Sequence, residues 1–91
     1  MKITEVKLVP TTYGPLRAYV SLTFDDCFVV SEIKLMQGDK GYWVVMPRRK
    51  RAKGKYIDII APINKKTRQM IEETIFAAYK LIADEPVKRR F

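Results

Sequence analysis

The sequence predicts an α+β fold, in which an antiparallel β-sheet of about five strands carries one C-terminal amphipathic helix on one face. Residues 16–24 alternate between apolar and polar side chains, which is typical of a strand with one buried face. Further short apolar runs are separated by turn residues, most clearly at residues 38–41. Beyond position 64 the apolar residues recur at helical spacing instead. The chain has 91 residues, so we predict one domain, residues 1–83, and a basic flexible tail, residues 84–91.

The first two predicted strands lie on either side of a loop. Residues 2–9 show mixed alternation, and Pro10 opens the loop that follows. Residues 16–24 form the second strand, and a two-residue turn at Asp25 and Asp26 leads directly into the third. The predicted buried face of the second strand holds Leu16, Ala18, Val20, Leu22 and Phe24.

The third predicted strand begins at Cys27, and its alternation is interrupted at Ser31. Residues 42–46 form the next strand, a continuous apolar run that ends at Pro47. A run without alternation is typical of a strand covered on both faces, and we expect a partner subunit to cover the second face. One predicted face of the third strand holds Cys27, Val29, Ile33 and Leu35, and the other holds Phe28, Val30 and Met36.

A cluster of charges separates these strands from the last one. Residues 48–55 carry six charges in eight positions, so repulsion and hydration predict a mobile loop. Residues 56–60 form the last short strand, and Asn64 is placed to cap the helix that follows. Pro86 sets the latest end of this helix. Its predicted apolar stripe consists of Thr67, Ile71, Thr74, Ile75, Ala78, Leu81 and Ile82.

The positive charge of the chain is concentrated in one segment. The net charge is +8, from 18 basic and 10 acidic residues. Residues 48–68 contain nine of the basic residues and one acid, Asp58, and therefore account for the whole excess. The rest of the chain is neutral, so the clustering favours a polyanionic partner over a general surface bias.

The residues that usually carry catalysis or bind metals are missing or isolated. The sequence has no histidine and one cysteine, Cys27, which lies among apolar strand residues and is interpreted as structural. Asp25 and Asp26 are interpreted as turn formers, and Glu72 and Glu73 diverge by about 100° on a helix. We therefore predict a protein that is not an enzyme and that holds no metal or cofactor. The single cysteine and the lack of a signal-peptide pattern predict a cytoplasmic protein.

Cations at the start of the predicted helix are the strongest indication of a ligand. Lys65, Lys66 and Arg68 fall in its first turn, where each opposes the helix dipole at a cost of about 0.3–1 kcal/mol. A phosphate at the helix N-terminus reverses this penalty, because free N–H groups and cations both favour an anion. The alternative interpretation is a solvated charged surface that serves solubility alone.

We predict a nucleic-acid contact surface that joins the charged loop to this helix start. Phosphate contacts supply affinity, whereas base reading requires an arginine or a polar side chain such as Gln69 at a groove edge. Tyr42, Trp43 and Tyr56 can stack on unpaired bases, although packing in the core or in a dimer is the favoured interpretation of them. The predicted contact residues are Arg48, Arg49, Lys50, Arg51, Lys53, Lys55, Lys65, Lys66, Arg68 and Gln69.

Two motifs in the chain resemble those of the SpoVG family of bacterial regulators. One is Val-x-Met-Pro at residues 44–47, which follows the segment Phe-Val-Val-Ser-Glu-Ile-Lys-Leu at residues 28–35 and the turn 38–41 at the family's spacing. The other is Asp-Ile-Ile-Ala-Pro-Ile-Asn-x-x-Thr-Arg at residues 58–68. The resemblance covers residues 1–83 in order.

The resemblance implies a sheet-plus-helix fold and a homodimer built by extension of the sheet. It also implies a regulator of gene expression that binds DNA and RNA, is linked to septation and sporulation, and lies near the nucleoid. In the family pattern, the basic residues after Met-Pro and at the helix start are associated with nucleic-acid binding. The alternative is a protein-interaction module for acidic partners in the division or sporulation machinery. Membrane binding is disfavoured because Glu72 and Glu73 lie on the polar face of the helix, and no small-molecule substrate is expected.

Overall fold

The computed structural model describes residues 1–83 and Val87, and it has the predicted α+β fold. The first four strands form one antiparallel sheet in the order β1-β2-β3-β4, and the last two pair with each other in a separate hairpin. The elements are β1 Ile3–Tyr13, β2 Leu16–Phe24, β3 Phe28–Gly38, β4 Gly41–Val45, β5 Arg48–Lys50, a 3₁₀ turn Ala52–Gly54, β6 Tyr56–Asp58 and α1 Lys65–Ala83.

The core lies between α1 and one face of the four-stranded sheet. The alternation predicted for β2 is confirmed, because all five of its predicted inward residues are buried. The ring of Tyr42, on β4, lies 5.8 Å from that of Tyr79 and 6.5 Å from that of Phe76, both on α1. Tyr42 is therefore a core residue. The helix contributes Ile71, Ile75 and Phe76 to the buried cluster.

The predicted faces of β3 are confirmed for Ile33 and Leu35, which are both buried, and are wrong for Val29 and Val30, because a β-bulge lies between the two parts of the strand. Val20 pairs with Ile33 and Leu22 pairs with Val30. Between these two pairs β3 contains one more residue than β2, which is a β-bulge. Glu32 takes up the extra length with a positive φ of 62°. Val30 and Ile33 both face the core as a result.

Cys27 and Val29 were expected on the buried face of that strand, and both are exposed. Cys27 lies in the β2–β3 turn, where the positive φ values of Asp25 and Asp26 reverse the chain. The turn at the two aspartates is thereby confirmed, whereas the interpretation of Cys27 as a structural core cysteine is wrong.

The first strand is longer than predicted, because β1 continues through Pro10 to Tyr13. The expected loop at Pro10 is replaced by a pair between Pro10 and Ala18. Proline is tolerated here because β1 is an edge strand, where one row of backbone N–H groups has no strand partner.

Residues 48–55 are not the predicted loop. They form β5 and the 3₁₀ turn, and β5 pairs with β6 in the order Arg48 with Asp58, Arg49 with Ile57 and Lys50 with Tyr56. The predicted last strand, residues 56–60, ends at Asp58 and belongs to this hairpin instead of the main sheet. Six charges are compatible with strand pairing here because every residue of β5 is exposed to solvent.

The helix begins as predicted, but its buried residues differ from the predicted apolar stripe near the C-terminal end. The Thr67 backbone N–H donates to Asn64 Oδ1 at 2.7 Å, which confirms the cap. Leu81 and Ile82 are exposed, contrary to the predicted stripe, whereas Phe76 and Tyr79, which the stripe omitted, pack in or against the core. No helix among the described residues is long and apolar enough to cross a membrane. The predicted tail lies outside the described residues, except Val87, which is half-buried against the core.

Candidate nucleic-acid interface

All ten predicted contact residues are exposed to solvent. They lie on two parts of the fold that follow β4 in the chain. Six are on the β5–β6 hairpin and its turn: Arg48, Arg49, Lys50, Arg51, Lys53 and Lys55. Four are in the first turn and a half of α1: Lys65, Lys66, Arg68 and Gln69.

The hairpin presents its cations on a defined backbone. The Arg51 N–H donates to the Lys55 carbonyl at 2.6 Å, and the Gly54 N–H donates to the Arg51 carbonyl at 3.2 Å. Lys53 and Gly54 adopt left-handed conformations, with φ values of 73° and 75°, which reverse the chain over a few residues. The charged side chains therefore project from a closed turn, an arrangement that costs less ordering entropy on binding than a free loop.

The one acid of the charged segment is already paired. Asp58 accepts a hydrogen bond from Arg48 Nε at 2.9 Å across the hairpin. Both side chains are partly exposed, so the pair contributes only about 0–1 kcal/mol. The pair fixes the Arg48 guanidinium in place, and residues 48–68 contain no second acid to neutralise the other eight cations.

The start of α1 combines unpaired N–H groups with positive side chains. Asn64 caps one donor, and its carbonyl accepts from the Arg68 N–H at 3.2 Å. The first turn holds no acidic residue, and the first acids on the helix, Glu72 and Glu73, lie about one turn further along. Cations at this end of the helix oppose the helix dipole. A bound anion would be stabilised both by the positive end of the dipole and by the cationic side chains.

The two parts of the charged surface meet at one small pocket of about 290 Å³. Arg48 and Asp58 border it from the hairpin, Arg68 borders it from α1, and β4 forms its floor. The predicted approach of the charged segment to the helix start is therefore present for Arg48 and Arg68. We call this feature the arginine pocket.

Lys66 and Gln69 lie on another side of the helix start. They border a different depression, of about 560 Å³, together with Met1 and Glu73. The structure therefore does not bring Gln69 into the arginine pocket. The described residues hold no group of three or more His, Cys, Asp or Glu side chains arranged to bind a metal ion.

Sequence reasoning missed a groove on the sheet face opposite α1. Tyr19, Lys34 and Val45 stand side by side there on β2, β3 and β4, and Tyr56 and Arg48 of the hairpin border the same space. The groove has a volume of about 600 Å³, and we call it the open-face groove. The available signal was Tyr19, an aromatic residue on the polar face of an alternating strand.

Comparison with known proteins places the whole domain in one family. The SpoVG family model matches residues 1–81. A protein of Bdellovibrio bacteriovorus is 51% identical over 80 residues, which cover 88% of this chain and 74% of the relative. Relatives in Phytoplasma australiense and Caldicellulosiruptor bescii are 44% and 40% identical, and cover 97% and 90% of this chain and 93% and 94% of their own lengths. All three are named "Putative septation protein SpoVG". The chain therefore belongs to the SpoVG family.

Proposed function

We propose that this protein is a dimeric regulator of gene expression that binds DNA and RNA and acts in the control of septation or sporulation. The observation that carries the proposal is the exposed charged surface formed by the β5–β6 hairpin and the start of α1. Residues 48–68 contain nine cationic side chains and one acidic side chain, Asp58, which forms an ion pair with Arg48. The names of the relatives support a role in septation.

Phosphate groups are the ligand that this surface fits best. Arginine guanidinium groups bind phosphate with paired donors, and the helix start adds backbone N–H groups and a positive dipole end. Arg48 and Arg68 bring guanidinium groups to the arginine pocket from two elements, the hairpin and the start of α1. A nucleic acid supplies a row of phosphates long enough to engage the hairpin and the helix start together.

The dimer is proposed to form through β4, the last strand of the main sheet. The edges of the main sheet are β1 and β4. β1 carries Pro10, and proline on an edge hinders pairing with another strand. Pairing of two β4 edges would join the sheets of two chains and present two charged surfaces related by a two-fold axis. Binding to DNA and RNA also implies a cytoplasmic protein near the nucleoid.

A salt titration of binding tests the proposal. A duplex and a single-stranded oligonucleotide are each titrated with protein, followed by fluorescence anisotropy, at several salt concentrations. Each phosphate neutralised on duplex DNA contributes about −0.9 to the slope of log affinity against log salt. We expect a slope of about −4 or steeper, because several of the nine cations contact phosphate.

A charge-neutralised variant locates the surface. Replacing Arg48, Arg49, Lys50 and Arg51 by glutamine should remove most of the binding and flatten the slope, while the circular dichroism spectrum is retained. The matched control replaces four exposed lysines outside the charged segment, Lys2, Lys7, Lys40 and Lys80. If both variants lose affinity equally, the binding is a property of net charge and the proposed surface is wrong.

An acidic protein partner is the second candidate function. The observation that favours it is the exposed apolar stretch between β6 and α1, where Ile59, Ile60 and Ile63 face solvent beside the cations. Protein interfaces combine apolar anchors with a charged rim in this way. Substituting Ile63 by serine should lower the affinity for a protein partner and leave the affinity for nucleic acid unchanged, which separates the two candidate functions.

A further inference from the structure

The open-face groove has aromatic walls that the fold of one chain does not cover. Tyr19 is 44% exposed on β2 and Tyr56 is 60% exposed on β6, and both border the groove. Tyr42, by contrast, is buried against α1. Of these three tyrosines, Tyr42 packs in the core, and the rings of Tyr19 and Tyr56 are accessible from the groove.

The floor of the groove includes the indole of Trp43. Trp43 pairs with Met36 across β3 and β4, on the sheet face away from α1. A Cβ atom at Gly38 would lie 3.0 Å from Cζ3 of Trp43, so the ring rests close to the Gly38 backbone. A larger residue at position 38 would force the ring to shift by a few tenths of an ångström, so glycine favours the position that the ring occupies.

The charges around the groove suit a polyanion that also carries apolar rings. Lys34 and Arg48 border it, and within the described part of the chain Glu32 is the one acidic side chain in the lining. Arg48 also borders the arginine pocket, so the two depressions are neighbours at that residue. A strand whose phosphates lie on the hairpin would have its bases within reach of the tyrosines.

We infer that the open-face groove binds unpaired bases of single-stranded nucleic acid, which stack on Tyr19 and Tyr56 while the adjacent cations hold the phosphates. This rests on the proposed function and narrows it to a single-stranded ligand for this site. Stacking needs an exposed base face, which a duplex does not offer, and it accepts any base because each has a π-face. The groove volume of about 600 Å³ falls within the range of about 300–1,000 Å³ that is usual for ligand sites.

Trp43 is the only tryptophan in the sequence, and it borders both the open-face groove and the arginine pocket, so its fluorescence reports on the two depressions together. Oligothymidylate, which forms no duplex with itself, should quench Trp43 emission to a plateau. Inorganic polyphosphate and a blunt duplex of equal phosphate count should bind the charged surface and quench the emission much less, because neither offers unpaired bases to the groove. Equal quenching by polyphosphate would mean that base stacking is not the cause, and would overturn the inference.

Substitutions at the tyrosines test the stacking itself. Tyr56→Ala should weaken oligothymidylate binding by about tenfold, and Tyr56→Phe should bind as the parent does, because the phenyl ring still stacks. Tyr19→Ala and Tyr19→Phe should behave in the same way. Tyr13→Ala is the matched control, since Tyr13 is 80% exposed at the far end of β1.

The outcomes separate this inference from the proposed function. If the four-residue glutamine variant loses oligothymidylate and Tyr56→Ala and Tyr19→Ala do not, the charged surface stands and the stacking site is wrong. If Tyr56→Ala lowers the molecular mass in solution, a second copy covers the groove and the inference is also wrong. If the parent protein binds no nucleic acid, the proposed function itself fails.

Discussion

Asn64 has two roles at the residue scale, because it caps α1 and it stands beside the cations of the helix start. Its side-chain oxygen accepts from the Thr67 N–H at 2.7 Å, and Lys65 and Lys66 follow it directly. A substitution at this position can therefore change the stability of the helix and the charge of the site independently. Variants that change only the stability of the helix, or only the charge beside it, can therefore test whether the cations bind phosphate.

We predict that Asn64→Ala lowers the free energy of unfolding by about 1 kcal/mol, because the Thr67 N–H loses its acceptor. Asn64→Asp should keep the cap and add a negative charge that is favourable at a helix N-terminus. The Asp variant should therefore be as stable as the parent in urea denaturation and should bind oligonucleotides more weakly. Unchanged binding by Asn64→Asp would exclude the helix start from the interface.

The Arg48–Asp58 pair gives a second prediction at this scale. Asp58→Asn removes the one negative charge of residues 48–68 and frees the Arg48 guanidinium. We expect tighter nucleic-acid binding at low salt and a change in unfolding free energy of less than about 1 kcal/mol, since both side chains are partly exposed. Asp39→Asn makes the same charge change in the β3–β4 turn and serves as the control. Equal gains in the two variants would contradict a local effect.

At the scale of elements, α1 has one side packed on the core and one side exposed to solvent. Ile71 and Ile75 are buried, and Tyr79 packs against the same core, whereas Leu81 is 87% exposed. At about 100° per residue, Leu81 lies about 120° around the helix from Ile75. Helical spacing shows that a helix has an apolar side, and the packing decides which part of that side the sheet covers.

Substitutions along α1 should reflect this division. Ile75→Ala removes a fully buried side chain and should lower the free energy of unfolding by about 2–5 kcal/mol. Leu81→Ala should change it by less than about 0.5 kcal/mol in the isolated chain. Urea denaturation of both variants at matched concentration measures this difference. A large loss for Leu81→Ala would mean that another surface, such as a second copy, covers the end of the helix.

The β5–β6 hairpin shows why a charged segment was mistaken for a loop. Composition predicts that residues 48–55 stay out of the core, and all of them do. It does not predict that Arg48 and Asp58 meet across a turn, because that contact depends on the left-handed conformations of Lys53 and Gly54. An exposed hairpin satisfies strand hydrogen bonds and charge hydration together.

At the scale of the whole molecule, the fold separates a covered sheet face from an uncovered one. The helix covers the face that carries Val20 and Leu35, and the open-face groove occupies the other. The hairpin and the helix start then meet at the arginine pocket, beside β4. We thus propose that one small domain carries three neighbouring binding surfaces. They are the β4 edge for a second copy, the charged surface for phosphates and the open-face groove for bases.

The proposed dimer predicts a mass in solution of twice the 10.6 kDa of one chain, measured by light scattering at micromolar protein concentration. The mass should remain unchanged at high salt, because hydrogen bonds between strand edges are screened little, whereas nucleic-acid binding should be lost. A mass of 10.6 kDa under all conditions would contradict the dimer and leave the charged surface as a monomeric site.

The sequence by itself determined the fold class, the alternation of β2, the cap at Asn64 and the exposure of all ten candidate contact residues. These features depend on local periodicity, turn residues and the cost of burying charge, which can be read along the chain. Only the tertiary structure decided the bulge at Glu32, the exposure of Cys27, the strand pairing of residues 48–50 and the meeting of Arg48 with Arg68. Each depends on which residues stand opposite one another after folding, and strand register is a property of pairs distant in the sequence.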